Sequence, residues 1–282
     1  MSMSEQSLPE LTTAQFSCWR ALIEEYAGVQ IAPDREAFVR LGVRRRLEEL
    51  GESSFDSYFE RVNGLGGEQE RRLIFDRMLI KETHFFRHRP SFDFVSRSVF
   101  RQISEGMTST SAWSVGCSTG EEAYSIAMAI NAAYETCDKK PLFGVVGSDI
   151  SHQALMSARS GIYHSRQLKQ VTEFEKRQYF TEMSATEFSV SESTKRRVCF
   201  LNSNILNIPK HSFANNLDII YCQNVLIYFK RWRRREIIQS LAQCLKPGGL
   251  LVLGVGECSE QPSQLLTRVP EQGVLAYVRS SR

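Results

Sequence analysis

Residues 112–122 constrain the fold more than any other part of the chain. A short apolar run at 112–115 ends in a turn of very small residues at 116–120, and apolar residues then recur at helical spacing. Small residues at a strand-to-helix turn let a ligand approach the backbone closely, and the first turn of the helix supplies unpaired N–H groups. The pattern therefore predicts a ligand site at the end of a buried strand.

The residues beside this turn argue against a phosphate-bearing ligand. Two carboxylates, Glu121 and Glu122, follow the turn directly, and they would repel a pyrophosphate but suit a cationic ligand rich in hydroxyl and amino groups. The glycine spacing differs from the G-x-G-x-x-G fingerprint, and no lysine follows the last glycine as a P-loop requires. We therefore expect a nucleoside pocket without phosphates, for which S-adenosylmethionine is the common ligand.

Composition is that of an ordinary globular protein. The 282 residues are 42% hydrophobic and 24% charged, which allows one large domain or two unequal ones. The net charge of +3 does not by itself imply a nucleic-acid partner. The seven cysteines are scattered and form no C-x-x-C pair, and no apolar run approaches the length of a membrane span. We expect a cytoplasmic protein without direct membrane insertion.

Two regions with different patterns follow one another along the chain. Residues 11–80 carry apolar side chains at helical spacing, whereas strand-like and helix-like runs alternate from residue 112 onward. We predict a small all-α domain over residues 1–82, a linker that contributes to the ligand site over 83–108, and a larger domain over 109–282. The last domain is predicted as an α/β fold with a doubly wound, mostly parallel sheet.

Five runs are predicted as strands. They lie at residues 112–115, 142–146, 198–201, 219–222 and 250–254. Residues from about 165 to 200 fit the alternation poorly, and 188–191 and 197–200 have the pattern of two short strands joined by a polar turn. We interpret this segment as a small inserted β-subdomain, so the run near residue 198 serves both interpretations.

Polar residues follow several of the predicted strands. In a doubly wound sheet the ligand lies beyond the carboxyl ends of the strands, where the strand order reverses. The residues at such positions are Glu121, Asp149, Asn204, Ile205, Gln223, Asn224 and Tyr228. Asp149 suits both ribose hydroxyls or the N-cap of the next helix, and Asn204 suits an adenine edge or a turn.

The predicted linker contains aromatic, basic and histidine side chains. Phe85 and Phe86 are expected to form core between the domains, and Arg87 is free to project towards the site. His84 and His88 stand four residues apart, but no third ligand accompanies them. We expect no metal site.

Basic residues cluster on one predicted N-terminal helix, over residues 34–50, that ends at Gly51. The cluster comprises Arg35, Arg40, Arg44, Arg45 and Arg46. Such a run is usually a solvated face, yet few acids nearby compensate these charges, so the surface suits an acidic partner. A second basic run at 230–235 could simply open a surface helix.

Taken together, these motifs are similar to those of the CheR-type chemotaxis receptor methyltransferases. The similarity covers nearly the whole chain and includes G-C-S-T-G-E-E-A-Y-S at 116–125, together with residues 148–150, 158–163, 204–206, 222–229 and 245–249. The resemblance implies an enzyme that uses S-adenosylmethionine to esterify glutamate side chains of methyl-accepting chemoreceptors, with S-adenosylhomocysteine as the other product. It also implies a class I methyltransferase fold.

The resemblance assigns roles to individual positions. The cofactor pocket would be lined by Lys81, Thr83, Arg87, Val115, Glu121, Asp149, Asn204, Ile205, Gln223 and Asn224. Arg87 and Tyr228 would lie closest to the incoming glutamate. The acidic helical bundle of a receptor would dock on Arg40, Arg44, Arg45 and Arg46. In some members the β-subdomain grips a receptor's C-terminal tail, but the turn between the inserted strands lacks their glycines, so we do not expect this tether.

Two other functions stay open. Lys81 stands where members usually carry Asn, and Gln223 replaces a common Arg, so a regulator that binds S-adenosylmethionine and docks on chemoreceptors without catalysis is the main alternative. The arginine clusters suggest a nucleic-acid methyltransferase. Against the latter, the net charge is low, and Asn224 is not followed by the Pro-Pro-Tyr/Phe of many amino-methylating enzymes.

Overall fold

The chain forms two compact units. The computed structural model describes residues 10–31, 35–78, 82–210, 215–258 and 263–281. Contacts between residues divide the chain into Met1–Ile80 and Lys81–Arg282. Within the described ranges, no helix combines the length and the apolar character that crossing a bilayer requires.

The first unit is helical. Its helices are α1 (Thr13–Ala27), α2 (Glu36–Leu50), α3 (Phe55–Asn63) and α4 (Glu68–Met78). α2 ends at Gly51 as predicted, because the left-handed backbone of this glycine (φ 66°) lets its N–H bond the carbonyls of the last turn. The buried side of α2 carries Val39, Val43 and Leu47, which pack in the core of this unit. The predicted all-α character is confirmed.

The second unit alternates strands and helices. In chain order its elements are α5 (Arg89–Ser104), β1 (Thr110–Val115), α6 (Glu121–Thr136), β2 (Phe143–Asp149), α7 (His152–Ser160), β3 (Ile162–His164), α8 (Glu173–Tyr179), β4 (Phe180–Glu182), β5 (Glu187–Val190), α9 (Glu192–Lys195), β6 (Val198–Asn202), β7 (Leu217–Cys222), α10 (Arg231–Cys244), β8 (Leu245–Leu253), β9 (Leu266–Arg268) and β10 (Leu275–Arg279). The main sheet has the order β6-β2-β1-β7-β8-β10-β9. The first five strands run parallel to one another, and β10 pairs antiparallel with both β8 and β9. The predicted doubly wound, mostly parallel sheet is confirmed.

The order of the strands reverses between β1 and β7. From β1 the chain adds β2 and β6 on one side, and it then crosses to β7 and adds β8 on the other. Every residue of β7 is buried, as expected for a central strand covered on both faces. The carboxyl ends of β1 and β7 consequently lie side by side, at the place where doubly wound sheets bind ligands.

Residues 83–108, predicted as a linker, instead contain the helix α5. Its buried face, which includes Phe92, Val95 and Val99, belongs to the core of the second unit. Phe85 and Phe86 lie in the same core, and their prediction as core between the domains stays a prediction. The ring of Phe85 packs against those of two aromatic residues of the inserted segment. These ring contacts join the residues just before α5 to the inserted segment.

The inserted β-subdomain exists, but its strands differ from those predicted. It is a three-stranded antiparallel sheet with the order β3-β5-β4. The run at 197–200 does not pair with 188–191, because Val198–Asn202 pairs in parallel with β2 at the edge of the main sheet. A short alternating run has the same pattern in a hairpin and in an exposed edge strand, so the residues alone did not separate the two.

Candidate functional site

The loops after β1 and β7 touch where the strand order reverses. Gly116 follows β1 with a left-handed backbone, φ 73°. A Cβ atom at this position would lie 2.5 Å from Cγ2 of Val225, in the loop after β7. Only glycine accommodates both the backbone conformation and this close approach. The small-residue turn therefore holds the ends of the two central strands together.

Asp149 ends β2 and connects two further loops. Its Oδ2 accepts a hydrogen bond from the backbone N–H of Ser118 at 2.8 Å, and its Oδ1 accepts one from the N–H of Ser151 at 2.8 Å. The N-cap of α7 is Ser151, whose Oγ accepts from the N–H of Ala154 at 3.1 Å. The capping role considered for Asp149 is therefore wrong. Its carboxylate is instead fixed between the turn after β1 and the start of α7.

Glu121 is buried and bound to neighbouring side chains. One carboxylate oxygen accepts from the hydroxyl of Thr119 at 2.7 Å, and the other accepts from the amide of Gln167. Burial raises the pKa of this carboxyl, and the two hydrogen bonds oppose the shift. The side chain that the resemblance assigns to the cofactor pocket thus ties α6 to the segment after β3.

Glu122 is the carboxylate that shares its surroundings with the other charged residues of the site. Its Oε1 accepts from the hydroxyl of Ser114, in β1, at 2.7 Å. Burial raises the pKa of the Glu122 carboxyl well above its usual range, and the hydrogen bond from Ser114 opposes this shift. The negative charges of Glu257 and Asp149 raise the pKa further, whereas the positive charge of Arg87 lowers it. The resemblance assigned Glu121 to the cofactor pocket, and that assignment stays a prediction; the surroundings of Glu122 make it a second candidate.

Gln223 follows β7 and uses its side chain inside the protein. Its Nε2 donates to the hydroxyl of Ser91 at 3.0 Å and to the carbonyl of Leu253 at 3.1 Å, and its Oε1 accepts from the hydroxyl of Tyr221 at 3.1 Å. All three groups are buried. A contact between Gln223 and a cofactor would therefore have to use the backbone.

Asn204 and Ile205 follow β6, as predicted. The side-chain oxygen of Asn204 accepts from the N–H of Leu206 at 2.9 Å, which is the turn role considered for it. Ile205 begins a short 3₁₀ segment, Ile205–Lys210. The end of β6 lies beside that of β2, since the N–H of Ser203 bonds the carbonyl of Asp149 at 2.9 Å.

Asn224 and Tyr228 lie in the loop after β7. Asn224 has a left-handed backbone, φ 60°, and is half-buried like Tyr228. Tyr228 is the last residue of a 3₁₀ turn, Leu226–Tyr228, in this loop. Val115, the last residue of β1, is fully buried, so its side chain belongs to the core beneath the site.

The remaining predicted residues precede α5. Thr83 is half-buried and Arg87 is exposed. The Nη1 of Arg87 donates to the carbonyl of Glu82 at 3.2 Å, and its charge acts on the carboxyl of Glu122. Lys81 lies outside the described residues, so its predicted cofactor contact stays a prediction.

The histidines beside the site have partners other than a metal. Nδ1 of His88 lies 2.7 Å from the hydroxyl of Ser91. Burial and the nearby Arg87 lower the pKa of His84. Across the described ranges, no group of three or more acidic, histidine or cysteine side chains is arranged to hold a metal ion.

Three of the four arginines predicted to dock a partner are engaged in ion pairs on the helical unit. The pairs are Arg40–Glu36, Arg44–Glu48, Arg46–Glu49 and Arg46–Glu70. Arg45 is exposed, and no ion pair joins it to another residue that the structure describes. The expectation that few acids compensate the five-arginine cluster is therefore wrong for Arg40, Arg44 and Arg46.

Sequence models of a known family match both units. The one described as "CheR methyltransferase, SAM binding domain" matches residues 81–273, and "CheR methyltransferase, all-alpha domain" matches residues 14–79. The chain belongs to the CheR methyltransferase family. It is accordingly an S-adenosylmethionine-dependent methyltransferase whose all-α domain precedes the cofactor-binding domain.

Curated relatives resemble this family member over most of their length. Chemotaxis protein methyltransferase 2 of Pseudomonas aeruginosa is 31% identical over 261 residues, which are 92% of this chain and 91% of that protein. The chemotaxis protein methyltransferase of Escherichia coli is 29% identical over 272 residues, 96% and 92% of the two chains. A solved structure of magnesium protoporphyrin IX methyltransferase from Synechocystis, with bound SAM, aligns with 85% of this chain and 97% of that chain at 14% identity and a TM-score of 0.39.

The donor set at the sheet edge fits S-adenosylmethionine. The ligand carries an ammonium group, a sulfonium centre and two ribose hydroxyls, and it has no phosphate. The carboxylates of Glu122, in the first turn of α6, and of Asp149, at the end of β2, match the cationic and hydroxyl groups. The left-handed Gly116 between them leaves the backbone without a Cβ at the end of the central strand.

Proposed function

We propose that this methyltransferase transfers the methyl group of S-adenosylmethionine to glutamate side chains of methyl-accepting chemoreceptors in the cytoplasm, giving glutamyl methyl esters for sensory adaptation. The supporting observation is the grouping of Glu122, Asp149 and Arg87 at the edge where the strand order reverses. The names of the relatives, chemotaxis protein methyltransferases, support the same substrate class.

We propose that the acidic residues bind the cofactor. A carboxylate offers about four lone-pair sites, so Asp149 can accept from ribose hydroxyls while it keeps its two backbone donors. Glu122, buried beside it, would face the ammonium group, and a bound cation would lower the raised pKa of its carboxyl. When bound, the cofactor supplies an electrophilic methyl carbon on a sulfonium centre.

The substrate needs no base from the protein. A glutamate side chain has a reference pKa of about 4.3, so near neutral pH it is already the nucleophilic carboxylate. Arg87 would aim this carboxylate through charge-assisted hydrogen bonds, with the hydroxyl of Tyr228 as a second donor. Holding the nucleophile in line with the methyl carbon contributes about 7–11 kcal/mol in favourable cases. Positioning is therefore the main task of these two side chains.

One face of α2 is the proposed docking surface for the receptor. Phe38 and Leu41 are 43% and 44% exposed, and the guanidinium of Arg35 lies 5.5 Å from the centre of the Phe38 ring. Arg45 continues this face at helical spacing and is the arginine available for an acidic partner. Apolar side chains flanked by guanidinium groups suit an amphipathic helix with acidic residues.

Gln223 does not favour the non-catalytic alternative. That alternative came partly from the loss of a family arginine at this position. Because the amide of Gln223 is bonded to Ser91 and Leu253 in the interior, its substitution changes interior packing rather than the proposed catalytic groups.

The test is methyl transfer to receptor cytoplasmic fragments from labelled S-adenosylmethionine. We expect label that base releases as volatile methanol, since a carboxyl ester is base-labile, and we expect none with fragments whose candidate glutamates are replaced by alanine. A base-stable label would indicate transfer to nitrogen. Cofactor binding without any transfer would support the non-catalytic regulator.

A further inference from the structure

The loop from Asn224 to Phe229 requires support from outside itself. It carries Asn224 and Tyr228, which the proposed function places beside the cofactor and the substrate. The backbone of Asn224 is left-handed, φ 60°, a conformation that few residues other than glycine and asparagine adopt. The 3₁₀ turn satisfies the N–H groups of Tyr228 and Phe229 within the loop, so the remaining backbone groups need partners from outside it.

Glu257 binds the amide groups of this loop. Its carboxylate is buried, with 3% of the residue exposed. Oε1 accepts from the N–H of Ile227 at 3.2 Å, and Oε2 accepts from the N–H of Gly254 at 2.8 Å. Burial raises the pKa of this carboxyl, and the backbone N–H groups of Gly254, Ile227, Asn224 and Leu226 oppose the shift. One side chain thus joins the loop after β7 to the loop after β8.

The sequence around Glu257 is shaped for this contact. Gly256 has a left-handed backbone, φ 88°, in the turn that leads from Gly254 to Glu257. A Cβ atom on Gly254 would lie 2.7 Å from Cδ of Glu257, so a larger residue would displace the carboxylate. Gly254 therefore leaves room for the Glu257 carboxylate, and Gly256 provides the left-handed turn that leads to it.

Arg234, near the start of α10, binds the carbonyl groups of the same loop. Its Nε donates to the carbonyl of Phe229 at 2.8 Å, and its Nη2 donates to the carbonyl of Ile227 at 3.1 Å. A guanidinium can span two carbonyls because its N–H groups point apart in a rigid plane. This residue belongs to the basic run at 230–235, for which the sequence suggested only the opening of a surface helix.

We propose that Glu257 and Arg234 are positioning residues that hold Asn224 and Tyr228 for methyl transfer. A carboxylate only accepts and a guanidinium only donates, so together they satisfy opposite backbone groups of one irregular loop. The inference rests on the proposed function of this site. It adds two residues that act on the reaction through the loop between them.

The first test is Glu257→Gln. Glutamine keeps the shape but turns one acceptor oxygen into an NH₂ donor that faces backbone N–H groups. We expect kcat to fall about 10- to 100-fold because a small displacement of an orienting group has a large effect on rate. The KM for receptor fragments should stay within about twofold, since the docking face lies on α2, and the Kd for S-adenosylhomocysteine should rise about tenfold.

Asp218→Asn is the matched control for the buried acid. Asp218 accepts from the N–H and the hydroxyl of Ser111 at 2.8 Å, near the start of β7 rather than at its end. We expect this variant to lower the melting temperature while kcat and the Kd for S-adenosylhomocysteine stay within about twofold of wild type.

The second test is Arg234→Lys, which keeps the charge but cannot span two carbonyls. It serves also if Glu257→Gln fails to fold. We expect kcat to fall about tenfold and amide hydrogen exchange to rise in a peptide spanning residues 224–229. Arg233→Lys is the control, because the neighbouring Arg233 pairs with Glu236 at 2.8 Å on the surface, and it should change neither measurement.

The outcomes separate this proposal from the proposed function. The positioning role would be overturned if amide exchange in the loop rose in Arg234→Lys while kcat and the Kd for S-adenosylhomocysteine stayed unchanged. Unchanged amide exchange in this variant would overturn it as well. If the wild-type enzyme methylates no receptor fragment, the proposed function fails. In that case loop exchange and S-adenosylhomocysteine affinity in Arg234→Lys still support or overturn the role of the two residues.

Discussion

The two units of the chain treat buried carboxylates in opposite ways. In the helical unit, Glu70 is bound by the guanidinium of Arg46 at 2.7 Å and by the hydroxyl of Tyr58 at 2.8 Å, and the pKa of its carboxyl is lowered, mainly by Arg46. At the sheet edge, Glu122 is bound by a serine hydroxyl, and burial raises the pKa of its carboxyl. The charge of Glu70 is neutralised by an arginine of the fold, whereas desolvation disfavours the charged form of Glu122.

This difference separates charged side chains that stabilise the fold from charged side chains that are placed to bind a ligand. In an ion pair such as Arg46–Glu70 the two charges neutralise each other, and the pair supports the fold. Carboxylates held by hydroxyl and amide donors, as Glu122 at the start of α6 and Asp149 at the end of β2 are, can still be neutralised by a cationic ligand. The cost of burying them is therefore expected to be offset when the cofactor binds.

The largest effect is expected for Arg87→Ala. The described contact of Arg87 within the fold is a hydrogen bond to a neighbouring carbonyl, so the variant should fold. Methyl transfer should fall at least about 100-fold because the substrate carboxylate loses its orienting cation. The measurement is the initial rate with receptor fragments. Arg97→Ala, which removes an exposed arginine paired with Glu271, is the control, and wild-type turnover in Arg87→Ala would remove it from the site.

Arg46→Met tests the stabilising side of the comparison. Methionine keeps the apolar stem but leaves Glu70 buried without its main partner. Because the pair is only partly buried, we expect the free energy of unfolding of the helical unit to fall by about 2 kcal/mol. Denaturant unfolding measures this, and an unchanged midpoint would contradict the structural role.

The same pair predicts a pH dependence. The pKa of Glu70 is lower in the folded chain, so its contribution to stability is fully present above the unfolded pKa of about 4.3 and is lost as the pH falls through the folded value. Stability measured from pH 6 down to pH 3 should decline more steeply in wild type than in Arg46→Met. Equal slopes would mean that the pair does not shift the titration.

Asp149→Asn should weaken cofactor binding by about tenfold. The amide keeps one acceptor for the backbone, but it loses the charge and the second acceptor oxygen. Calorimetry with S-adenosylhomocysteine measures the change, and Asp93→Asn, an exposed acid on α5, is the control. An unchanged binding constant would mean that Asp149 serves only to join its two loops.

The smallest effect is expected for Arg45→Ala. Its side chain is exposed, so stability should not change. The KM for receptor fragments should rise about two- to threefold, and the difference from wild type should shrink at high salt as the charge is screened. A salt-independent increase would assign the effect to the apolar face of α2 instead.

The buried strands were predictable because their signal is local. Residues 112–115 and 219–222 are continuous apolar runs, and they fall within β1 and β7. The strand at 197–200 was assigned twice because its exposed edge position gives a weak alternating pattern. α5 lies within the segment predicted as a linker, although Phe92, Val95 and Val99 have helical spacing.

The site was predictable in position but only partly in residue identity. The rule that ligands lie beyond strand ends selected Asp149 and Asn224 correctly as residues of strand-end loops. It did not single out Glu122 beside Glu121, because adjacent helical residues point about 100° apart and only packing fixes their directions. Glu257 was missed although it follows the predicted strand at 250–254, where the same rule would have found it.

The central claim is that the edge between β1 and β7 binds S-adenosylmethionine. A crystal structure of the complex with S-adenosylhomocysteine tests it most directly. We expect the nucleoside at the loop that begins with Gly116, with its ribose hydroxyls on Asp149 and its amino group near Glu122. A product molecule bound elsewhere on the second unit, with this edge closed by protein side chains, would contradict the claim.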